Sequence, residues 1–262
     1  MHKYVEILTT PLQVCRRYKP GFGKSNAEGV SLAEFREMYG ADPLYSWIGL
    51  DSDEIYAAHK AAGGITSFYR QLGIGCERLV REILIDKFAL DSDEATWSYT
   101  YANAAGDTAK LSLDARIDVR LGTTKKRSNQ IESWLSNAGE LLNLSDDAVG
   151  KLFGAVFEVR QGYKSADAKR QNADLRNGIR AYNEGYLPVV MILSNQINST
   201  VSRRYTNGQI LVLSGEMNDD ENKCTYAFFK KVIGFDLAGF LIENRTVIQK
   251  EIKDILKNII RA

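Results

Sequence analysis

The chain has 262 residues, 44% of them hydrophobic and 26% charged, with four prolines and no low-complexity tract or internal repeat. This composition excludes a disordered, collagen-like or solenoid protein and supports a folded domain with its own core. The formal net charge is +1, yet residues 151–210 hold nine Lys and Arg against four Asp and Glu, so the positive charge is concentrated in one segment where a polyanion could bind.

Length alone permits one domain over 1–262. The longest apolar run, Leu187 to Leu193, is too short to span a bilayer, and the N-terminus carries charge where a signal peptide needs apolar residues, so a cytoplasmic location is expected. Cys15, Cys76 and Cys224 form no CxxC pair and read as reduced thiols. His2 and His59 are too few for zinc fingers or His-rich metal sites. A phosphate loop ending Gly23-Lys24-Ser25 fails because Tyr18 stands where its first glycine must be. Gly73-Ile74-Gly75 fails as a dinucleotide loop because Arg78 replaces the third glycine.

In chain order, Ser31 caps a helix over Leu32–Met38, and Ser52 caps another that runs to Ala62 and ends at Gly63-Gly64. A longer helix covers Ile74–Phe88, with Leu79 and Ile83 in its apolar stripe and Glu77 near its start. Trp97–Tyr101 reads as a strand, followed by a turn at Asp107-Thr108. Ala109–Leu121 then alternates, with Ile117, Val119 and Leu121 on one face and Asp114, Arg116, Asp118 and Arg120 on the other. Residues 128–143 form an amphipathic helix and Leu152–Gln161 a strand. Ser165 caps a polar helix to Asn183, and Leu187–Leu193 is a buried strand. Asn195–Tyr205 is helical and Gln209–Leu213 a strand. Thr225–Ile260 makes two helices broken near Gly234. Strands alternating with helices give an α/β fold, a mixed central sheet flanked by helices.

On one strand, residues two apart face the same way, so Glu158 and Arg160 project side by side. With a second carboxylate, Asp118, from a neighbouring strand, they suit Mg²⁺-assisted phosphodiester hydrolysis. Carboxylates hold the hard cation, the cation activates water, and an arginine steadies charge. Read without further context, a carboxylate–arginine pair on a strand is also an ordinary salt bridge.

Asp118 on a strand, Glu158-Val159-Arg160 on the next core strand and a basic polar helix after it resemble the PD-(D/E)XK nucleases, in particular the type II restriction endonucleases. Ile65-Thr66-Ser67-Phe68-Tyr69-Arg70-Gln71 ahead of Gly73 is similar to the ApaLI-like family. Lys164 to Asn172 resembles the recognition helix of NgoMIV-type enzymes, and Val189–Leu193 their following buried strand.

The resemblance implies a nuclease core over about 65–215, with helical regions at 1–64 and 216–262. It implies Asp118 and Glu158 as Mg²⁺ ligands, with Asp114 as the rival first carboxylate. Glu77 stands as the helix glutamate beside the metal, and Arg160 replaces the family lysine, a role for which Lys164 competes. Asp174 is a further metal candidate. The implied partners are double-stranded DNA, a second copy of the chain, and a cognate DNA methyltransferase as genetic neighbour. Lys164, Ser165, Asp167, Lys169, Arg170, Gln171, Asn172, Arg203 and Arg204 supply donors and acceptors suited to base edges and phosphates. A non-catalytic DNA-binding protein with a structural Glu158–Arg160 pair is the competing expectation.

Overall fold

The computed structural model describes residues 2–23, 28–102, 106–121, 124–163 and 168–260. The chain divides into two compact units, Met1–Gly75 with Glu243–Ala262, and Cys76–Ile242. Residues 65–75 of the expected core thus group with the N-terminal unit. Among the described residues, no helix is long and apolar enough to cross a membrane.

The first unit is helical. It opens with α1 (Lys3–Thr9) and a 3-10 turn over Thr10–Arg17. Then come α2 (Leu32–Gly40), α3 (Pro43–Trp47) and the first part of α4 (Asp53–Phe88). Ser31 caps α2 as expected: its hydroxyl accepts from the Glu34 N–H while the Glu34 carboxylate takes the Ser31 N–H at 2.7 Å. Phe35 packs with Val30 and Tyr56 in one cluster; Leu12, Cys15 and Phe68 pack with Ile255 and Ile259 of the C-terminal helix, Arg245–Ile260, in another.

Gly63-Gly64 does not end a helix. Two expected helices are one, because these glycines make room instead of breaking the backbone. A Cβ on Gly63 would collide with the Tyr18 hydroxyl, and one on Gly64 with the Ile259 side chain. Close packing offsets the helix-propensity cost of glycine, about 1 kcal/mol each.

The second unit is the α/β part. A hairpin of β1 (Trp97–Ala102) and β2 (Thr108–Leu113) leads through a bend at Asp114 into β3 (Ala115–Asp118). The expected single strand over 109–121 is therefore broken. After α5 (Lys125–Leu141) and α6 (Asp146–Val149) comes β4 (Gly154–Arg160), then α7 (Ala168–Asn183), β5 (Tyr186–Ile192), α8 (Ser199–Asn207) and β6 (Leu211–Leu213). The sheet order is β3-β4-β5-β6, antiparallel at β3/β4 and parallel elsewhere. The mixed sheet flanked by helices is the expected α/β class.

Beyond it lie α9 (Thr225–Phe228), a π-helical turn to Ile233 and α10 (Leu237–Glu243). The break at Gly234 occurs in the left-handed region, at φ 72°, which favours glycine. The expected last helix is itself divided, between Glu243 and Arg245.

β4 carries the core on both faces. Phe157 lies 5.6 Å from the Phe228 ring, which lies 4.7 Å from Trp134 of α5. On the opposite face Val156 joins Trp97, Leu113, Tyr186 and Ala181 of α7. By strand alternation Glu158 and Arg160 share this second face.

Candidate functional site: a buried carboxylate–arginine cluster

Glu158 and Arg160 stand at the C-terminal end of β4. Arg160 Nη2 is 3.1 Å from Glu158 Oε1, and the same nitrogen lies 3.1 and 3.0 Å from the two carboxylate oxygens of Asp174 on α7. Arg160 is only 6% exposed, and its Nε is buried without a hydrogen-bond partner. Its guanidinium sits 5.1 Å from the centre of the Tyr163 ring.

The bend between β2 and β3 brings Asp114 to the same place. Its N–H donates to the Phe157 carbonyl at 3.0 Å, and its Oδ2 accepts from the Val159 N–H at 2.8 Å. Arg81 Nε of α4 donates to the Asp114 carbonyl at 2.7 Å. Glu77 lies one turn before Arg81 on that helix. The three carboxylates raise one another's pKa. Burial, then the charge of Asp114, pushes Glu158 up to about 7. Burial, then the charge of Glu77, pushes Asp114 up to about 6. Glu77 is raised by its burial and by Glu158. Arg160 opposes all three shifts, and Arg170 reaches electrostatically to Glu77 and Glu158.

Asp118 is not brought to this cluster. It pairs in register with Gly154, four residues down β4 from Glu158, about 13 Å away at ~3.3 Å per residue. It is committed elsewhere: Arg120 grips it with Nε at 2.9 Å and Nη2 at 2.6 Å, and the Tyr186 hydroxyl donates to it at 2.8 Å. Burial would raise the Asp118 carboxyl, but these bonds outweigh it and hold the pKa below the ordinary carboxylate range. The rival residue, Asp114, is the one that joins Glu158. Alternation chose otherwise because it assumes a straight strand, and the bend at Asp114 turns that side chain onto the Val159 amide.

Of the residues expected to touch DNA, Lys164, Ser165 and Asp167 lie outside the described residues. Lys169, Arg170 and Asn172 are exposed at the start of α7, and Arg203 is exposed on α8. Gln171 is 4% exposed, so it faces inward, and Arg204 bridges the two helices through Gln171 Oε1 at 2.8 Å and Asn172 Oδ1 at 2.6 Å. These two residues serve packing between α7 and α8. Sequence reasoning passed over Arg81, Tyr163 and Tyr205. The only available signal was the spacing of Arg81, four residues after Glu77 on a helix.

Among the described residues, no three Asp, Glu, His or Cys side chains converge as a ready-made metal cage. Mg²⁺ does not require one: it binds through one or two carboxylates, keeps several waters and completes its shell with substrate phosphate oxygens. Asp114 and Glu158 fit that need as hard oxygen donors, their carboxyls raised first by burial and then by a neighbouring carboxylate, Glu77 and Asp114 respectively. Comparison with protein-family models, curated proteins and solved structures gives no match.

Proposed function

We propose that the chain is a Mg²⁺-dependent nuclease of the PD-(D/E)XK kind, acting as a type II restriction endonuclease on double-stranded DNA. The observation that supports this reading is the meeting of Asp114, Glu158, Arg160 and Glu77 at one end of the sheet, beside the exposed basic start of α7. Asp114 and Glu158 would hold the metal, which when bound lowers the pKa of water and neutralises developing charge. Arg160 offers a permanent cation to the scissile phosphate; it cannot act as a base. Glu77 adds a carboxylate of raised pKa beside the pair and can accept a proton from attacking water. Lys169, Arg170 and Asn172 suit the duplex grooves and backbone. A two-fold homodimer would match a short palindromic site. A cytoplasmic setting beside a protecting DNA methyltransferase belongs to the same reading.

One observation favours the alternative, a non-catalytic DNA-binding protein. Arg160 is shared between Glu158 and Asp174, as in a structural ion-pair network. Incubating supercoiled plasmid with protein in Mg²⁺ or in EDTA separates the two. The nuclease reading expects nicking and linearisation only with Mg²⁺, abolished by Asp114→Asn and by Glu158→Gln. Intact plasmid under all conditions, with duplex binding retained, would establish the alternative.

A further inference from the structure

Two side chains from beyond β4, Asp174 and Tyr163, meet one guanidinium, and a third, Tyr205, holds both of them. Asp174 comes from α7 and is 7% exposed; both its oxygens contact Arg160 Nη2. Tyr205 comes from α8 and is fully buried; its hydroxyl lies between Asp174 Oδ2 and the Tyr163 hydroxyl, 2.9 Å from the latter. Tyr163 follows β4 and offers its ring face to the guanidinium. The two tyrosines meet edge to face, with centroids 5.9 Å apart, inside a cluster of Val190, Ile192, Val201 and Ile210. That packing fixes the rings, the rings fix the hydroxyls, and the hydroxyl of Tyr205 fixes Asp174.

We propose that Asp174 and Tyr205 are positioning residues that hold the Arg160 guanidinium over the Tyr163 ring, so that it meets the scissile phosphate in one orientation. The inference rests on the nuclease reading. Arginine differs here from the family lysine in its planar, delocalised cation, which lies over an aromatic ring while Nη2 takes both Asp174 oxygens. An ammonium in that place would keep the charge, but as a compact point charge it has no plane to orient.

The test uses two readouts on the full-length chain. The first is the side-chain nitrogen NMR signal of Arg160, identified by its loss in Arg160→Ala. In wild type, slow guanidinium rotation gives resolved Nη signals; Tyr205→Phe and Asp174→Asn are expected to merge them. The second is single-turnover plasmid cleavage at saturating Mg²⁺. Each variant is expected to be about 10- to 100-fold slower, the cost of a misplaced catalytic group. In an Arg160→Ala background neither change should slow cleavage further, and the Mg²⁺-induced rise in Tm should match wild type throughout. Tyr205→Phe removes one hydroxyl and keeps the ring, so it remains informative if Asp174→Asn folds poorly. Wild-type rates in both variants, or losses that add in the Arg160→Ala background, would overturn the clamp. Disappearance of the Mg²⁺ shift in Asp174→Asn would overturn it too, by making Asp174 a metal ligand. A wild-type protein that cleaves no DNA would instead remove the nuclease reading, and with it the catalytic purpose of the clamp.

Discussion

Asp114 and Asp118 are the same residue type four positions apart, yet their surroundings shift their carboxyls in opposite directions, the first up and the second down. Asp118 has a side chain 2% exposed and is satisfied by Arg120 and Tyr186, so replacing it leaves a buried phenol and a guanidinium without their acceptor. Asp118→Ala is expected to lower stability by about 1–3 kcal/mol and, on the proposed nuclease reading, to leave Mg²⁺-dependent cleavage in place. Chemical denaturation and plasmid nicking on the same preparation check both halves. A stable but dead variant would show that Asp118 belongs to the site after all. The sequence made Glu158 and Arg160 legible because two residues on an unbroken strand must share a face. It could not choose between the two aspartates. That choice depends on a bend between β2 and β3, and the bend is fixed by hydrogen bonds to Phe157 and Val159 more than forty positions away.

The helix α7 shows the same limit at the level of an element. The sequence points to base and phosphate contacts from Lys164 to Asn172, but helical spacing turns Gln171 inward together with Asp174 and Asn177, and each has a partner: Arg204, Arg160 and the Tyr99 hydroxyl at 2.7 Å. A buried face made of polar groups carries no hydrophobic stripe, so periodicity has nothing to detect. Its outer face divides the labour. Arg170→Ala is expected to weaken binding to a cognate duplex by about 1–3 kcal/mol and to a random duplex by less, if the side chain reads a base. Equal losses, with a flatter dependence on salt, would make it a phosphate contact. Gln171→Ala should leave the ratio between the two duplexes unchanged and lower Tm, since its amide is spent on Arg204. Binding isotherms at several salt concentrations decide between these outcomes. In α4, by contrast, Gly63-Gly64 read as a terminator because the sequence shows the glycines but not Tyr18 and Ile259, which occupy the space they leave.

For the whole molecule, the raised carboxylates make stability depend on pH in a stated direction. An acid whose folded pKa lies above its unfolded value binds more protons in the native state, so stability is lost as pH rises from the ordinary carboxylate range through the folded pKa. For Asp114 and Glu158 that window runs from about pH 4 to the values near 6 and 7. Metal-free protein should therefore lose stability across it. Glu158→Gln and Asp114→Asn should flatten the loss and raise Tm at pH 8, and Mg²⁺ should restore wild type at pH 8 without helping either variant. Thermal unfolding between pH 4 and 8, with EDTA or Mg²⁺, gives the comparison. A wild-type profile unchanged by both substitutions would mean the cluster is not strained by its own charge. The sheet itself has a different consequence. Its outer strands are its shortest, four residues in β3 and three in β6. The open side of β3 gives the Arg116 N–H to the Ala95 carbonyl at 2.8 Å, and the chain beyond β6 is met by a bridge between Ser214 and Cys224. Among the described residues, the four-stranded sheet thus offers only short edges to a neighbouring strand. The two long apolar strands, β4 and β5, are locked in the middle, an arrangement that keeps the most apolar backbone of this sheet away from edge-to-edge pairing.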